Sequence, residues 1–229
     1  MENRQFDKAT PIAIEGLDGC GKKTQSEKLV TYLEERGVRT KLVSFPAYDE
    51  PLGDLLKRYL DGEFYGLDTN IAAMMYTLNR AFTIQGMRAE PISNRGAQYD
   101  FVVCDRYVGS NFIHQMPRLR LSQWEKFIRD QEKLEYEYFG LPKPSLTICL
   151  DMHPDITRNL LMRRYQGDRS KMDALEHNHT YNLQCRVAEM FAAGVLGWKV
   201  VDCSDGLVPR SEDDISNDII NIVNEEFSL

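Results

Sequence analysis

The sequence predicts an α/β fold in three layers, with a central parallel five-stranded sheet and helices on both faces. Three observations carry this. Five short apolar runs rich in Ile and Val are spread along the chain, longer stretches of helical periodicity separate them, and the first run leads straight into a glycine loop and a lysine. Continuous apolar strands alternating with helices are the pattern of a parallel sheet buried on both faces.

The five runs are Pro11–Glu15, Val38–Phe45, Phe101–Cys104, Ser145–Leu150 and Trp198–Cys203. Between the first two, Lys22–Arg36 places Leu29, Val30 and Leu33 on one helical face and stops at Gly37, a residue suited to ending a helix. Thr69–Arg88 carries Ile71, Met74, Met75, Leu78 and Phe82 at helical intervals. Ser122–Phe139, Pro154–Arg164, His177–Leu196 and Ser211–Phe227 read as helices by the same spacing. Pro46, Pro51, Pro142 and Pro144 punctuate short connections. With no repeat, low-complexity tract or linker, residues 1–229 are expected to form a single domain.

Composition narrows the function classes. The chain has 229 residues, 42% apolar and 28% charged, which suits an ordinary globular protein rather than a disordered one. A net charge of −7 argues against a nucleic-acid groove, which is normally basic. Arg158, Arg163, Arg164, Arg169 and Lys171 concentrate positive charge locally, which suits a small anionic ligand better than a polymer. No apolar run approaches the ~18 residues of a membrane helix. Met1–Thr10 lacks the apolar stretch of a secretory signal. Cys20, Cys104, Cys149, Cys185 and Cys203 are scattered without a C-x-x-C pair and read as reduced thiols of a cytoplasmic protein. Cys20, inside the glycine loop, is the candidate reactive thiol.

After the first run comes Gly16-Leu17-Asp18-Gly19-Cys20-Gly21-Lys22-Lys23-Thr24. Strand, glycine loop, lysine, helix is the order of a P-loop, and it predicts a P-loop NTPase fold that binds ATP. The glycines let backbone N–H groups turn inward around phosphate oxygens, and Lys22 reaches the outer phosphates at the positive end of a helix. The motif wants Ser or Thr after the lysine, to ligate Mg²⁺. Here that position is Lys23, and an ammonium cannot ligate a metal. Either the metal is held by phosphates, water and a carboxylate elsewhere, or catalysis is weakened, or Lys23 simply points to solvent. After the third run, Asp105-Arg106-Tyr107 offers a carboxylate to hold a magnesium-bound water and an arginine to bridge donor and acceptor phosphates.

Taken together, EGLDGCGK, FPAY, YTLNR, DRYVGSN, GLPKP and the following Arg-rich segment resemble, in order, the motifs of the thymidylate kinase family of P-loop nucleoside monophosphate kinases. The resemblance runs from Pro11 to Phe227. It implies ATP-dependent, Mg²⁺-dependent phosphorylation of dTMP to dTDP, and a homodimer packed through helices. By position it implies that Asp18 faces the acceptor 3′-hydroxyl, that Tyr76 stacks on thymine, and that Arg80 reaches the acceptor phosphate or base edge. Ser110, Asn111 and Gln115 then line the base pocket, and His114 falls where some relatives crowd a ribose 2′-hydroxyl. Some relatives carry an arginine where this chain has Gly19. The positive charge is then expected from a lid at about 163–176, through Arg163, Arg164 and Arg169, with Asp173 and Glu176 at its acidic end. Many relatives also have an arginine near FPAY, where this chain has Ala47 and Tyr48, so Tyr48 keeps only a phosphate-binding hydroxyl. These departures leave two alternatives open: a kinase for another deoxynucleoside monophosphate, or a nucleotide-binding protein with reduced catalysis.

Overall fold

The computed structural model describes residues 9–64, 66–89, 99–168 and 177–229. Strands β1 (Thr10–Gly16), β2 (Thr40–Ser44), β3 (Phe101–Asp105), β4 (Leu146–Asp151) and β5 (Lys199–Asp202) form one sheet in the order β2-β3-β1-β4-β5. Every neighbouring pair is parallel. Ile12, Ala13 and Ile14 are all within 1% of full burial, so the central strand has no solvent face and shows no polar alternation.

Eight α-helices are described: α1 (Lys22–Glu34), α2 (Gly53–Leu60), α3 (Thr69–Ala89), α4 (Gly109–Gln115), α5 (Trp124–Glu132), α6 (Pro154–Arg164), α7 (His179–Leu196) and α8 (Glu212–Phe227). On one face of the sheet, Leu29 and Leu33 of α1 and Ile219 and Val223 of α8 pack with Ile12, Ile14, Val103 and Ile148. On the other, Ala73, Ile84, Phe112, Phe127 and Ala188 pack with Ala13, Val102 and Cys104. Local chemistry sets the helix ends. The His153 ring accepts from the Asp155 N–H at the start of α6, with Pro154 as first residue; Ser211 caps α8 through the Asp214 N–H. Gly197, at φ 69°, ends α7.

Several expectations are corrected. The stretch Ser122–Phe139 is not one helix: a 3₁₀ turn at Leu121–Gln123 precedes α5, and a π turn at Lys133–Tyr138 follows it. The π turn brings Glu135 into the core and leaves Tyr138 outside. The helix expected from His177 starts at His179, where Asn178 caps it. Helix α3 buries only part of its apolar pattern. Ile71 and Phe82 are each 53% exposed, whereas Thr77, Asn79 and Arg80 face inward. Neither α2 nor α4 was expected, nor the small hairpin of β6 (Ser204–Asp205) and β7 (Val208–Pro209), because each is too short to show a period. All five cysteines are free and buried. Cys20, the candidate reactive thiol, is among them, and burial pushes it up to about 11, away from the thiolate form. Residues 1–8 of the N-terminal segment lie outside the described residues. Among the described residues no helix is long and apolar enough to cross a membrane.

Candidate active site

The glycine loop is shaped by contacts at its glycines. A Cβ on Gly16 would stand 2.6 Å from Cys20 Sγ, and one on Gly19 would stand 2.8 Å from the Thr157 carbonyl oxygen of α6. Helix α6 thus rests directly on the loop, and at φ 86° Gly19 has no room for the arginine that some relatives place there. Gly21, at φ 94°, turns the chain into α1, which has no side-chain cap; its first N–H groups open toward the loop. Lys22 is buried, and its Nζ donates to the Leu17 carbonyl at 2.6 Å. Lys23 points outward, its side chain 76% exposed and 3.9 Å from Glu27. Of the three readings of Lys23, the structure displays the solvent-facing one. Thr24 sits half-buried in the same first turn.

Beside the loop, at the carboxyl ends of β1 and β3, lies a cleft of about 610 Å³. Ligands bind in this position in open α/β sheets. Asp18, Tyr48, Tyr76, Arg80, Arg106, Ser110, Asn111, His114 and Gln115 all line it, and so do Lys23 and Asp105. Every residue singled out for the acceptor is brought to one surface.

Arg106 is the centre of the end of the cleft that meets the glycine loop. Its backbone N–H donates to the Ile14 carbonyl at 3.0 Å, and the following Tyr107 N–H donates to Glu15 Oε1 at 2.8 Å. Ser110 donates its hydroxyl to Glu15 Oε2 at 2.6 Å. Glu15 is fully buried, and desolvation raises its carboxyl despite these donors and the charges of Arg106 and Lys22. The Arg106 guanidinium pairs with Asp18 and contacts His114 Nε2 at 3.3 Å. Burial acts to raise Asp18, but the field of Arg106 and Lys22 wins and holds it well below the usual carboxylate range. Burial pushes His114 down to about 4, so its neutral ring accepts from Arg106.

The wall of the cleft is tied together by Asn79. The Ala47 N–H donates to Asn79 Oδ1 at 2.8 Å, and Asn79 Nδ2 donates to the Ala47 carbonyl at 2.9 Å. The FPAY segment is thereby clamped to α3. Helix α2 presses on the same segment: a Cβ on Gly53 would fall 2.2 Å from the Tyr48 carbonyl oxygen. Deeper in, Arg80 pairs with Glu135, and both side chains are almost wholly buried.

Arg163 and Arg164 stand exposed in the last turn of α6, and Arg164 adds to the charge that keeps Asp18 ionised. Arg169, Lys171, Asp173 and Glu176 lie outside the described residues, so the expected lid is described only up to 168. Sequence reasoning missed Glu15, Asn79 and Glu135. An acid inside the apolar run PIAIE was a signal for the first. Asn79 sat unread inside a quoted motif, and nothing marked Glu135.

A phosphate cradle that opens onto a cleft large enough for a nucleotide is the working surface of a P-loop nucleoside monophosphate kinase. The comparisons with known proteins narrow the class. The sequence model of thymidylate kinases matches residues 14–215. The chain is 31% identical over 194 residues to thymidylate kinase of Mycobacterium tuberculosis, covering 82% of this chain and 86% of that one. It is 28% identical over 224 residues to the Homo sapiens thymidylate kinase, covering 94% and 93%. The fold resembles a solved thymidylate kinase from Candida albicans, with a TM-score of 0.66 over 96% of this chain and 93% of that one, at 21% identity. The chain belongs to the thymidylate kinase family.

Proposed function

We propose that this enzyme transfers the γ-phosphoryl group of ATP to dTMP, giving dTDP and ADP. The observation that carries the reading is the Asp18–Arg106 pair, which joins the glycine loop to the acceptor cleft. ATP lies in the loop from Gly16 to Thr24, its outer phosphates against Lys22 and the start of α1. Arg106 stands between donor and acceptor phosphates, and Asp18 accepts from the 3′-hydroxyl. Tyr76 supplies a stacking face; Asn111 and Gln115 supply amides for the base edge, and Ser110 and His114 complete the wall. Tyr48 offers its hydroxyl to the acceptor phosphate. Arg163 and Arg164, with Arg169 beyond the described residues, supply charge for the equatorial oxygens of the transferring group.

Magnesium fits this donor set. Lys23 stands at the edge of the cleft with its side chain 76% exposed and 3.9 Å from Glu27, and Asp105 lines the cleft at the end of β3. Asp105 would hold the ion through water, as Mg²⁺ commonly keeps several waters beside one carboxylate and the phosphates. When bound, the ion neutralises charge on the phosphate oxygens.

The outer stripe of α3, with Ile71 and Phe82 exposed and Met75 and Leu78 half-buried between them, supports a homodimer through that helix. Five free thiols support a reducing, cytoplasmic setting. The test of the reaction is kcat/KM for dTMP, dUMP, dGMP and AMP with ATP. dTMP leads and dUMP follows, its missing methyl costing about 1–3 kcal/mol. AMP or dGMP ahead of dTMP would overturn the acceptor assignment.

A further inference from the structure

Beneath the base end of the cleft lies a buried polar cluster whose hub is Glu135, a residue in no motif. It sits in the π turn Lys133–Tyr138 and is fully buried. Its Oε2 accepts from Arg80 Nε at 2.8 Å. Its Oε1 accepts from Arg80 Nη2, from the Thr77 hydroxyl at 2.8 Å and from Asn111 Nδ2 at 3.3 Å. Single π turns inside helices recur at functional sites, because the extra residue per turn re-aims a side chain.

The cluster dictates which way the Asn111 amide faces. Asn111 Nδ2 lies 3.3 Å from the Ala73 carbonyl oxygen, 3.3 Å from Glu135 Oε1 and 3.2 Å from Gln131 Oε1. A backbone carbonyl only accepts, and so does a carboxylate paired with an arginine. Turning the amide over would set Oδ1 against both of them, acceptor against acceptor. The chemistry of the neighbours therefore fixes the NH₂ inward and leaves the carbonyl on the opposite edge of a residue that lines the cleft. Arg80, which also lines the cleft and can only donate, is locked by the same carboxylate.

We propose that Glu135 is the positioning residue that makes this cleft select a thymine or uracil edge over a cytosine edge. The inference rests on the acceptor being dTMP. Thymine offers an N3–H, which needs an acceptor, and a carbonyl at C4, which needs a donor. Cytosine offers a bare N3 and an amino group, the reverse pattern. With its carbonyl outward, Asn111 matches the first and opposes the second. Glu135 touches no substrate and acts through Asn111 and Arg80.

The test compares dTMP with 5-methyl-dCMP, which keeps the methyl group and changes only the base edge that is read. The unmodified enzyme prefers dTMP by about a thousandfold or more in kcat/KM, as a site built to hydrogen-bond one edge does. In Glu135→Gln the amide at 135 both donates and accepts, so of the two groups that hold the Asn111 NH₂ inward only the Ala73 carbonyl still opposes a turned amide, and the flipped form that shows its NH₂ to cytosine N3 becomes more accessible. The dTMP preference then falls about tenfold or more, while the KM for ATP stays unchanged. A parallel loss with both acceptors, the ratio unmoved, assigns Glu135 a merely structural role and overturns the inference alone. Purine monophosphates outpacing dTMP on the unmodified enzyme would overturn the acceptor assignment and this inference together. Should Glu135→Gln fail to fold, the unmodified protein answers directly. Asn111 side-chain NH₂ protons, identified by their loss in Asn111→Ala, exchange slowly in NMR spectra before dTMP is added, as protons held by a buried carboxylate do. Fast exchange at that amide overturns the proposal.

Discussion

At the residue scale, Arg106 has φ 68°, in the left-handed region that residues with a Cβ seldom occupy. Such a backbone costs on the order of 1–3 kcal/mol and persists where its surroundings over-determine it. Here the Ile14 carbonyl holds its N–H, and Glu15 holds the N–H of Tyr107. The strained turn aims the guanidinium at Asp18. The sequence revealed Asp105 and Arg106 because they follow a strand that carries its own signal. It did not reveal the role of Glu15, whose partners Tyr107 and Ser110 lie 92 and 95 positions further on. Lys22 was legible for the same local reason as Arg106, and it carries the prediction at this scale. Lys22→Ala removes a preorganised charge from the phosphate cradle and lowers kcat by roughly two or more orders of magnitude. Steady-state kinetics on the folded variant check this, and near-normal kcat would exclude the loop as the catalytic phosphate site.

Secondary elements were legible in proportion to their length and burial. The five sheet strands and α1, α6, α7 and α8 were found nearly to the residue, because each is long or apolar enough to show its period. Helix α3 was found with Tyr76 and Arg80 on the cleft as expected, but with the two ends of its apolar stripe, Ile71 and Phe82, exposed. Periodicity reports where the apolar stripe lies, not which part of it is covered: Ile71 and Phe82 face out, while Thr77, Asn79 and Arg80 join Ala73 and Ile84 on the buried side. A helix that builds a polar cleft must turn its polar side inward. Asn79 shows what that orientation does, since its amide bonds both the N–H and the carbonyl of Ala47 to α3. Asn79→Ala breaks both bonds and loosens the wall that carries Tyr48. At about 1 kcal/mol net for each of the two bonds, the KM for dTMP rises by up to about thirtyfold. The KM for ATP does not change, because the Asn79 amide bonds the Ala47 segment rather than the glycine loop. A variant with both KM values unmoved would show that the clamp does not shape the acceptor site.

For the whole molecule, the parallel sheet and the place of the cleft followed from the alternation of elements, but the strand order and the buried ion pairs did not. Those depend on crossovers and on partners far apart in sequence, which single-chain patterns do not encode. Glu189 on α7 is such a case and sets a pH dependence for the fold as a whole. It is fully buried; Oε1 accepts from the Cys149 thiol at 3.1 Å, and Oε2 has no partner among the described residues. Burial, outweighing the thiol's donation, pushes its carboxyl up to about 8 from an ordinary 4.5. Between those two values the folded chain keeps a proton that the unfolded chain has released. Raising the pH therefore favours unfolding: this contribution to stability is intact below about 4.5 and has drained away once the pH passes about 8. The whole swing is on the order of a few kcal/mol. Glu189→Gln keeps the shape and cannot ionise, so its unfolding free energy should vary less with pH than that of the unmodified protein. Urea denaturation at pH 5, 7 and 9 measures the difference. At pH 5 the variant is equal to or less stable than the unmodified protein, because its amide leaves a buried N–H₂ to satisfy. At pH 9 the order reverses, since only the unmodified chain must then either bury a charge or hold its proton against the solvent. Two parallel pH profiles would mean that Glu189 is ionised in the folded state, with water or a cation reaching Oε2.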